Sequence, residues 1–375
     1  MKSVCLSILT ISCLHLQAEP VLSARCKQVD KQPALFEQGD QKLPPNVGAA
    51  YNYPACMKLQ HGWDTFATAS YIYWFAGEDG LDLATTATFV TEVSGMLTIP
   101  DSTIVFQNTG YHSGFKLGLG YTFLEDGWVL RADYTRYHMT NHLSKTAGGE
   151  PGTVFELTNW FYQVSSRQQT PGAVHLKSSW NLRLDWLDVA LQKPFYVGKQ
   201  FTVNPFLGLR ASWISQAVDI TLNEVLNFNP PTSSVHSNNR SHNWSLGPRI
   251  GADASFLLGA GVKFKGSIAE SLLYTDFTTI AHSEDPLFFG AVPVTFKSDS
   301  QRVFTPITEL LLGLGWGSYF SDQRYHLDLS ATYDFYFLQD QNQIRVVNDI
   351  EIDGINGGAK PLFIHGLTAT ATFGF

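Results

Sequence analysis

The side chains with the clearest chemical potential are fourteen charged residues that occupy alternate positions of otherwise apolar segments. Rings of charge around a narrow passage set the electric field and the ion preference of that passage. Eight of the fourteen are basic and six are acidic, which predicts a mixed inner wall with a slight basic excess. The alternative is that these charges pair with one another and only fill a tight interior. The candidates are Lys116, Arg131, Asp133, Arg183, Asp185, Arg210, Arg249, Asp253, Lys263, Lys265, Glu309, Arg324, Asp328 and Asp334.

The segments that carry these residues alternate between apolar and polar side chains, and alternation at period two predicts β-strands with two different faces. If the apolar face contacts lipid, the charged face must line an interior. We therefore expect Trp180, Leu182, Leu184 and Trp186 to face lipid, with Arg183 and Asp185 inside. The ten predicted strands are Asp64–Ala76, Gly114–Leu124, Gly127–Met139, Ser178–Gln192, Phe201–Ile214, Asn243–Leu258, Val262–Phe277, Thr305–Ser318, Arg324–Leu338 and Leu362–Phe375.

The gaps between the predicted strands alternate between long and short. Gly77–Ser113 and Thr140–Lys177 are long, whereas Glu125–Asp126 and Gly259–Gly261 are short. Outer-membrane barrels have short periplasmic turns and longer external loops, while a soluble sandwich gives no reason for this order. The sequence therefore predicts an all-β, antiparallel transmembrane β-barrel with an even number of strands. Ten strands are expected, and twelve or fourteen stay open because the longest loops could hold further strand pairs.

The composition agrees with such a barrel. Charged residues make up 15% of the chain, aromatic residues 13%, and the mean hydropathy is −0.06. A barrel spreads its apolar residues over every second position, so the average stays neutral although the outer wall is apolar. Aromatic residues recur near the predicted strand ends, as in interfacial girdles. The formal net charge of −8 argues against a nucleic-acid partner, which requires a basic surface.

The N-terminal segment MKSVCLSILTISCLHLQA, residues 1–18, combines one lysine, a short apolar core and a small final residue. This pattern predicts a secretory signal peptide and hence localisation in the bacterial outer membrane; a buried N-terminal helix is the alternative. Residues 19–62 are predicted to form an irregular arm, in the periplasm or inside the lumen, and residues 63–375 the barrel. Cys26 and Cys56 in the arm could form a disulfide within one chain or between chains.

Two places do not fit the alternation. Glu270 would face lipid if the order set by Phe264 continued, so we expect a β-bulge near Gly266 that turns Glu270 inward. The alternation also weakens at Trp186–Leu187, where a second bulge is expected.

Motifs of catalysis and metal binding are present only in weak form. Ser113 and Lys116 match Ser-x-x-Lys, but the segment is predicted as a strand rather than a helix start. The pairs His138/His142 and His236/His242 are poor metal-site candidates. The segment Asp349–Lys360 places acidic residues as a calcium loop does, but its twelfth position is Lys360 instead of glutamate. We therefore predict no enzymatic activity, no cofactor and no metal site.

Four segments resemble the Legionella-type major outer membrane protein family, which is also found in chlamydia-like bacteria. They are YIYWFAGEDGLDLA at 71–84, SGFKLGLGYTF at 113–123, LDVALQKPFYVGKQFTVNPFLGLRASWI at 187–214 and TYDFYFLQDQNQIR at 332–345. The resemblance runs from about residue 60 to the end and implies an outer-membrane porin. It also implies cysteine cross-linking for some members, although the arm with Cys26 and Cys56 matches less well.

The expected function is passive diffusion of small polar solutes and ions by an abundant envelope protein. The alternative is a non-conducting barrel that acts as an adhesin or surface coat; a lipase or protease lacks a convincing triad. Expected partners are the lipid bilayer and lipopolysaccharide, small polar solutes, and a second copy of the chain. The final strand alternates through Phe373 and Phe375, which predicts a signal for the barrel-assembly machinery.

Overall fold

The structure is a computed structural model, and it describes residues 51–54, 59, 64–88, 90–91, 97–98, 102–123, 127–148, 153–157, 163–164, 167–168, 172–197, 200–225, 234–287, 293–321, 323–344 and 358–375. The predicted signal peptide, most of the arm with Cys26 and Cys56, and the acidic part of the calcium-like loop lie outside these residues.

Ten long strands build one closed antiparallel barrel in the described part of the chain, which confirms the predicted architecture. Each strand pairs with the next, and the last strand pairs back with the first from Phe66↔Gly374 to Glu78↔Leu362. Closure matters because a strand edge exposed to lipid would leave backbone N–H and C=O groups without partners. The strands are β1 (Thr65–Glu78), β2 (Tyr111–Phe123), β3 (Trp128–Thr146), β4 (Gly172–Gln192), β5 (Phe201–Val225), β6 (Ser234–Gly259), β7 (Val262–Leu287), β8 (Gln301–Phe320), β9 (Tyr325–Asn342) and β10 (Lys360–Gly374).

Ten shorter strands lie outside this ring, so the long loops do not add strands to the barrel wall. No described helix has the length and apolarity to cross a membrane. The short strands are Tyr51–Pro54, Asp82–Thr88, Val90–Thr91, Leu97–Thr98, Ser102–Phe106, Thr153–Leu157, Gln163–Val164, Arg167–Gln168, Phe195–Val197 and Val294–Ser298.

The strands are strongly staggered around the barrel. Paired residues followed from Leu314 on β8 through β9, β10, β1 and onward return to β8 at Arg302, twelve residues away. Stagger of this kind tilts the strands by roughly 35–45° against the barrel axis. A ten-stranded barrel is only slightly wider than the eight-stranded barrels whose interiors side chains fill.

The outer wall carries two girdles of exposed aromatic residues with an apolar belt between them. The belt includes Leu119, Leu207, Ile250 and Leu312. Girdles of this kind mark the two interfaces of a membrane. The lower girdle, at the end with the short turns, contains Phe123, Trp128, Phe201, Phe256, Phe320, Tyr325, Phe373 and Phe375. The upper girdle contains Tyr73, Tyr111, Trp213, Trp244, Tyr274 and Phe304.

Several strands continue well beyond the upper girdle. In this upper part the apolar and polar faces of the strands are reversed, with polar side chains outside and apolar side chains inside. The strand predicted to end at Ile214 runs to Val225, and the strand predicted from Asn243 begins at Ser234. Above the girdle the outward side chains are polar, for example Lys177 and Arg240, because this part of the wall faces water. Its apolar side chains point inward instead and form a core like that of a soluble barrel.

This core shows that one predicted orientation is wrong. Trp180, Leu182, Leu184 and Trp186 are buried inside the barrel, while Leu187 on the same strand is exposed on the outer wall. The pairing of β4 with β3 and β5 continues without a register shift, so the expected bulge at Trp186–Leu187 is also wrong. The geometry of β4 is therefore regular throughout, and only the surroundings of its two faces change along its length.

Side chains from the external segments close the top of the barrel. Leu81, Leu83, Phe155 and Ile344 are buried in the same apolar core as the inward residues of the strands. Gln107 ties one such segment to the wall, because its Nε2 donates to the carbonyl oxygen of Asn141 at 3.3 Å and its Oε1 accepts from Ser178 at 2.6 Å. We call this group of external segments the lid, defined by residues 81–84, 105–107, 154–157 and 344.

The expected bulge near Gly266 is likewise absent, and Glu270 remains on the outer wall. The pairing of β7 with both neighbours is regular there; the register shifts between β6 and β7 lie at His242/Asn243 and Leu257/Gly259. Thr308, which lies opposite Glu270 on β8, donates its hydroxyl to Glu270 Oε2 at 3.1 Å. A local hydroxyl partner therefore accompanies this carboxylate on the outer wall.

Candidate functional site

The fourteen charged candidates, all of them in the described residues, separate into eleven that point into the barrel and three that do not. Arg183 and Asp185 lie on the outer wall, because they share the orientation of the exposed Leu187, and Arg324 is exposed in the turn between β8 and β9. Their prediction as pore-lining residues is wrong. The eleven inward residues are Lys116, Arg131, Asp133, Arg210, Arg249, Asp253, Lys263, Lys265, Glu309, Asp328 and Asp334.

A buried network of four charges crosses the middle of the lumen. Arg210 on β5 donates from Nε and Nη2 to the two carboxylate oxygens of Asp188, at 2.6 and 2.7 Å. Its Nη1 lies 2.8 Å from Oε1 of Glu309 on β8, three strands away. Arg249 on β6 donates to both oxygens of Glu309 at 2.9 Å. Bidentate pairing of this kind fixes orientation as well as charge.

Aromatic rings support both arginines of this network. The guanidinium of Arg210 lies 4.5 Å from the ring centroid of Trp186, and that of Arg249 lies 4.6 Å from the centroid of Phe206. The side chains of Arg210 and Glu309 are each only 2% exposed. The network therefore spans the lumen as a largely buried group, which we call the central charge network (Asp188, Arg210, Arg249 and Glu309).

A second crossing connects β2 to β9. Lys116 Nζ lies 3.2 Å from Oδ2 of Asp334 and donates to the hydroxyl of Tyr336 at 2.7 Å. The same ammonium lies 4.6 Å from the ring centroid of Trp74. Asp334 also accepts from the hydroxyls of Thr332 and Thr368, at 2.6 and 2.7 Å, so its charge is fully engaged.

The third group lies nearest the end with the short turns. Lys265 Nζ donates to Asp328 Oδ1 at 2.7 Å, and Lys263 forms an ion pair with the other oxygen of the same carboxylate. Lys265 and Arg131 are 31% and 34% exposed, in contrast to the central charge network. Water therefore reaches the inner wall from this end up to the central charge network.

The sequence reasoning missed Asp188 and the inward tryptophan Trp186. Both share the strand face that was assigned to lipid from Trp180 onward. The signal that could have located them is the change within β4, because Leu187, Val189 and Leu191 are apolar on the opposite face. Asp188 lies between these apolar residues on the other face of β4. Its charge indicates that its own face lines the interior and that the face of Leu187 contacts lipid.

In the described part of the chain, the serine–lysine motif of β2 and the histidine pair of β3 do not assemble into a site. Ser113 and Lys116 lie on opposite faces of β2, so the serine is outside the barrel and the lysine inside. His138 and His142 lie along the outward face of β3. The described residues contain no group of three or more His, Cys, Asp or Glu side chains placed to hold a metal ion.

The comparison with protein families agrees with this barrel. The model described as "Legionella pneumophila major outer membrane protein precursor" matches residues 53–365. The chain belongs to this family. The resemblance stated from the sequence is thereby confirmed, and the Legionella-type major outer membrane protein family places the chain in the outer membrane. A comparison with curated proteins gives no match.

This family member is also similar to several solved outer-membrane barrels. The outer membrane protease OmpT from Escherichia coli has 10% identity and a TM-score of 0.42, with 85% of this chain and 99% of that chain covered. A Pseudomonas aeruginosa FadL homologue has 11% identity and a TM-score of 0.28, with 82% and 89% covered. OprG from P. aeruginosa has 9% identity and a TM-score of 0.23, with 84% and 96% covered.

The seam where β10 meets β1 closes the barrel of this outer membrane protein. On its inner face, the hydroxyls of Ser70 and Thr370 are 2.8 Å apart, and the indole of Trp74 donates to Thr368 at 3.0 Å. On its outer face, the rings of Phe75 on β1 and His365 on β10 stack with their centroids 5.0 Å apart. Nearer the lower end of β10, Phe373 lies 5.6 Å from Tyr325 on β9 and 6.0 Å from Phe375, measured between ring centroids. Polar contacts on the inner face and the Phe75–His365 stack on the outer face therefore join β1 to β10, while Phe373 joins β10 to β9.

We expect the double substitution Phe373→Ala and Phe375→Ala to leave export intact and to impair assembly in the outer membrane, since it removes the aromatic end of the last strand and its ring contact with Tyr325 on β9. The measurement is the fraction of heat-modifiable protein in isolated outer membranes. Phe256→Ala, in the same girdle but away from the seam, is the matched control and should behave as wild type. A double variant with a wild-type heat-modifiable fraction would contradict the assembly role.

Proposed function

We propose that the protein is a narrow outer-membrane pore for passive diffusion of small polar solutes and ions, and that its described conformation is closed. The observation that carries this proposal is the charged, partly hydrated inner wall at the level surrounded by lipid. Lys263, Lys265, Asp328 and Arg131 line that wall. Charges facing water inside a barrel are the usual means of conducting and selecting ions.

The charged residues of this inner wall would bring no gain in stability if the barrel had only a structural role. Buried ion pairs are often no more stable than apolar residues of similar volume, because their desolvation offsets their attraction. An apolar filling, as in the upper half, would therefore stabilise the lower half at least as well. Retention of charges where water enters supports a role in solute passage.

Two barriers define the closed state: the central charge network, and the apolar core with its lid above it. Trp74, Trp180 and Trp186 belong to that core and are buried. Passage therefore requires displacement of the lid and a rearrangement of inward side chains. We expect brief openings and a conductance far below that of sixteen-stranded porins, whose lumen is an aqueous channel.

The test is reconstitution of the purified protein in planar bilayers, with conductance and reversal potential measured under a salt gradient. We expect small, intermittent steps with weak ion selectivity. The same recording on a variant that lacks residues 19–62 tests whether the predicted arm contributes to closure. No conductance above the lipid background at any voltage, for either form, would contradict the pore.

The second candidate is a non-conducting barrel that acts as an adhesin or surface coat. The packed upper interior favours it, because Leu81, Leu83 and Phe155 are buried in one apolar core with the inward side chains of the strands. Under this reading the wall above the upper girdle serves as a rigid support for the external loops. Binding of protein-deficient cells to host surfaces at the wild-type level would contradict this candidate.

A further inference from the structure

The upper girdle is interrupted on β3 and β4 by charged residues. One row of paired residues runs Phe115, Arg136, Asp185 and Trp213 across four neighbouring strands. Its ends are aromatic, as elsewhere in the girdle, but its centre is charged. The guanidinium groups of Arg136 and, two residues from Asp185 on β4, Arg183 therefore lie on the outer wall near the interface, where the anionic groups of lipid headgroups lie.

The interruption is a cleft with a volume of about 530 Å³. Three cross-strand pairs form most of it: Asp185 lies opposite Arg136, Arg183 opposite His138, and Asn181 opposite Thr140. The cleft is lined by His112, Arg136, His138, Met139, Thr140, Asn181 and Arg183. His112 and Met139 belong to the inward faces of their strands, and Nε2 of His112 lies 2.8 Å from Oδ1 of Asn141. The other lining side chains lie on the outer wall, and each offers a hydrogen-bond donor or a positive charge.

The contacts within the cleft leave its arginines available. Asp185, the acidic residue beside it, already accepts from the Tyr134 hydroxyl at 2.5 Å and lies 3.0 Å from Nε2 of His138. The guanidinium of Arg136 is 3.5 Å from Nδ1 of His138, which is a weak contact. Within the described residues, the guanidinium of Arg183 forms no hydrogen bond or ion pair, while its backbone pairs with the neighbouring strands. The charge of the aspartate is therefore engaged, while two planar cations face outward.

Positive charge continues around the wall from the cleft. Arg183 pairs with Ser215 on β5, which pairs with His242 on β6, and Arg240 lies on the same outward face of β6. An anion that approaches the cleft is therefore attracted before contact. The planar guanidinium of arginine donates two parallel hydrogen bonds that match two oxygens of a phosphate group. This geometry favours phosphate over an acceptor that takes only one hydrogen bond.

We propose that this cleft binds the phosphorylated headgroup of an outer-leaflet lipid, with Arg136 and Arg183 as the phosphate ligands. The place of the cleft supports a lipid rather than a soluble phosphate. It opens on the outer wall at the level of the membrane interface, and Phe115 and Trp213 at its sides offer apolar contact to the lipid body. Thr140 and Asn181 supply further donors for sugar or phosphate oxygens.

The experiment measures binding of lipid A to the intact, detergent-folded protein by native mass spectrometry. The probes are lipid A with both phosphates, the same lipid after removal of its phosphates, and inorganic phosphate as a competitor. We expect the phosphorylated form to bind about tenfold more tightly than the dephosphorylated form, and excess inorganic phosphate to compete weakly. The variant Arg136→Gln/Arg183→Gln should lose about the same tenfold.

The matched control is Arg302→Gln, which removes an exposed outward arginine of β8 that is already paired with Asp276 at 3.4 Å. It should bind lipid A as wild type does. Equal binding of the two lipids to the wild-type protein would overturn the proposal, and this comparison does not depend on how any variant folds. Inorganic phosphate that binds alone as tightly as lipid A would overturn the lipid as the ligand. Wild-type binding by the double arginine variant would overturn the role of the two arginines.

Discussion

The substitution Glu309→Ala should destabilise the barrel by about 3–5 kcal/mol, because it leaves two buried arginines without their shared carboxylate. Arg249 loses both of its hydrogen bonds to Glu309, and Arg210 retains only Asp188. The free energy of unfolding is measured from the denaturant dependence of the heat-modifiable, folded fraction. The same variant should shift the reversal potential toward anions, because the remaining charge at the constriction is positive.

The matched control for this carboxylate is Asp299→Ala, which removes an exposed aspartate in the turn before β8. Its unfolding midpoint and selectivity should equal those of wild type. An unfolding free energy of the Glu309→Ala variant within 1 kcal/mol of wild type, a threshold well below the roughly 3–5 kcal/mol expected, would show that the central charge network contributes little.

The double substitution Trp74→Ala/Trp186→Ala should produce the largest gain of conductance. The two indoles flank Tyr336, with ring centroids 5.0 and 5.2 Å from it, and together these three rings fill the lumen directly above the central charge network. Removing both indoles creates a passage and also costs stability, since each buried aromatic residue truncated to alanine costs roughly 3–5 kcal/mol. Planar-bilayer recordings should show longer openings and a severalfold larger step.

The control for this variant is Trp213→Ala, which removes a tryptophan of similar size from the outer wall. Its conductance should remain that of wild type. The heat-modifiable fraction is measured for both variants to show that each is folded. If the double variant folds poorly, Trp186→Phe is the milder substitution to record, because it keeps an aromatic ring at this position. A well-folded double variant with no conductance would contradict closure by these rings and would favour the non-conducting barrel.

The lower half of the barrel was predictable from the sequence because one rule covers it. Lipid outside and water inside require apolar and polar residues at alternate positions, so the ten strands and most inward charges, such as Arg210 and Glu309, follow from the pattern. The rule gives the face of each residue but not its partner. Arg210 meets Glu309 only because the stagger of the strands brings β5 and β8 to one level across the lumen.

The upper half was not predictable by the same rule, because there the polar surroundings lie outside the barrel and the apolar surroundings lie inside it. At the upper girdle and beyond it, the outside is polar and an apolar core lies inside, so Trp180 and Leu182 point inward while Arg183 and Asp185 point outward. The strand itself continues unchanged, and alternation alone does not reveal which side is wet. The apparent defect at Trp186–Leu187 is the point where the strand passes from one regime to the other.

The seam between β1 and β10 also determines which alignment of the two strands can close the ring. A slip by two residues would preserve the inward and outward faces, so the alternation alone does not forbid it. It would, however, separate the hydroxyls of Ser70 and Thr370 and move the indole of Trp74 away from Thr368. These contacts on the inner face therefore favour one register of β1 and β10. A barrel closed in another register would lack them and would be less stable.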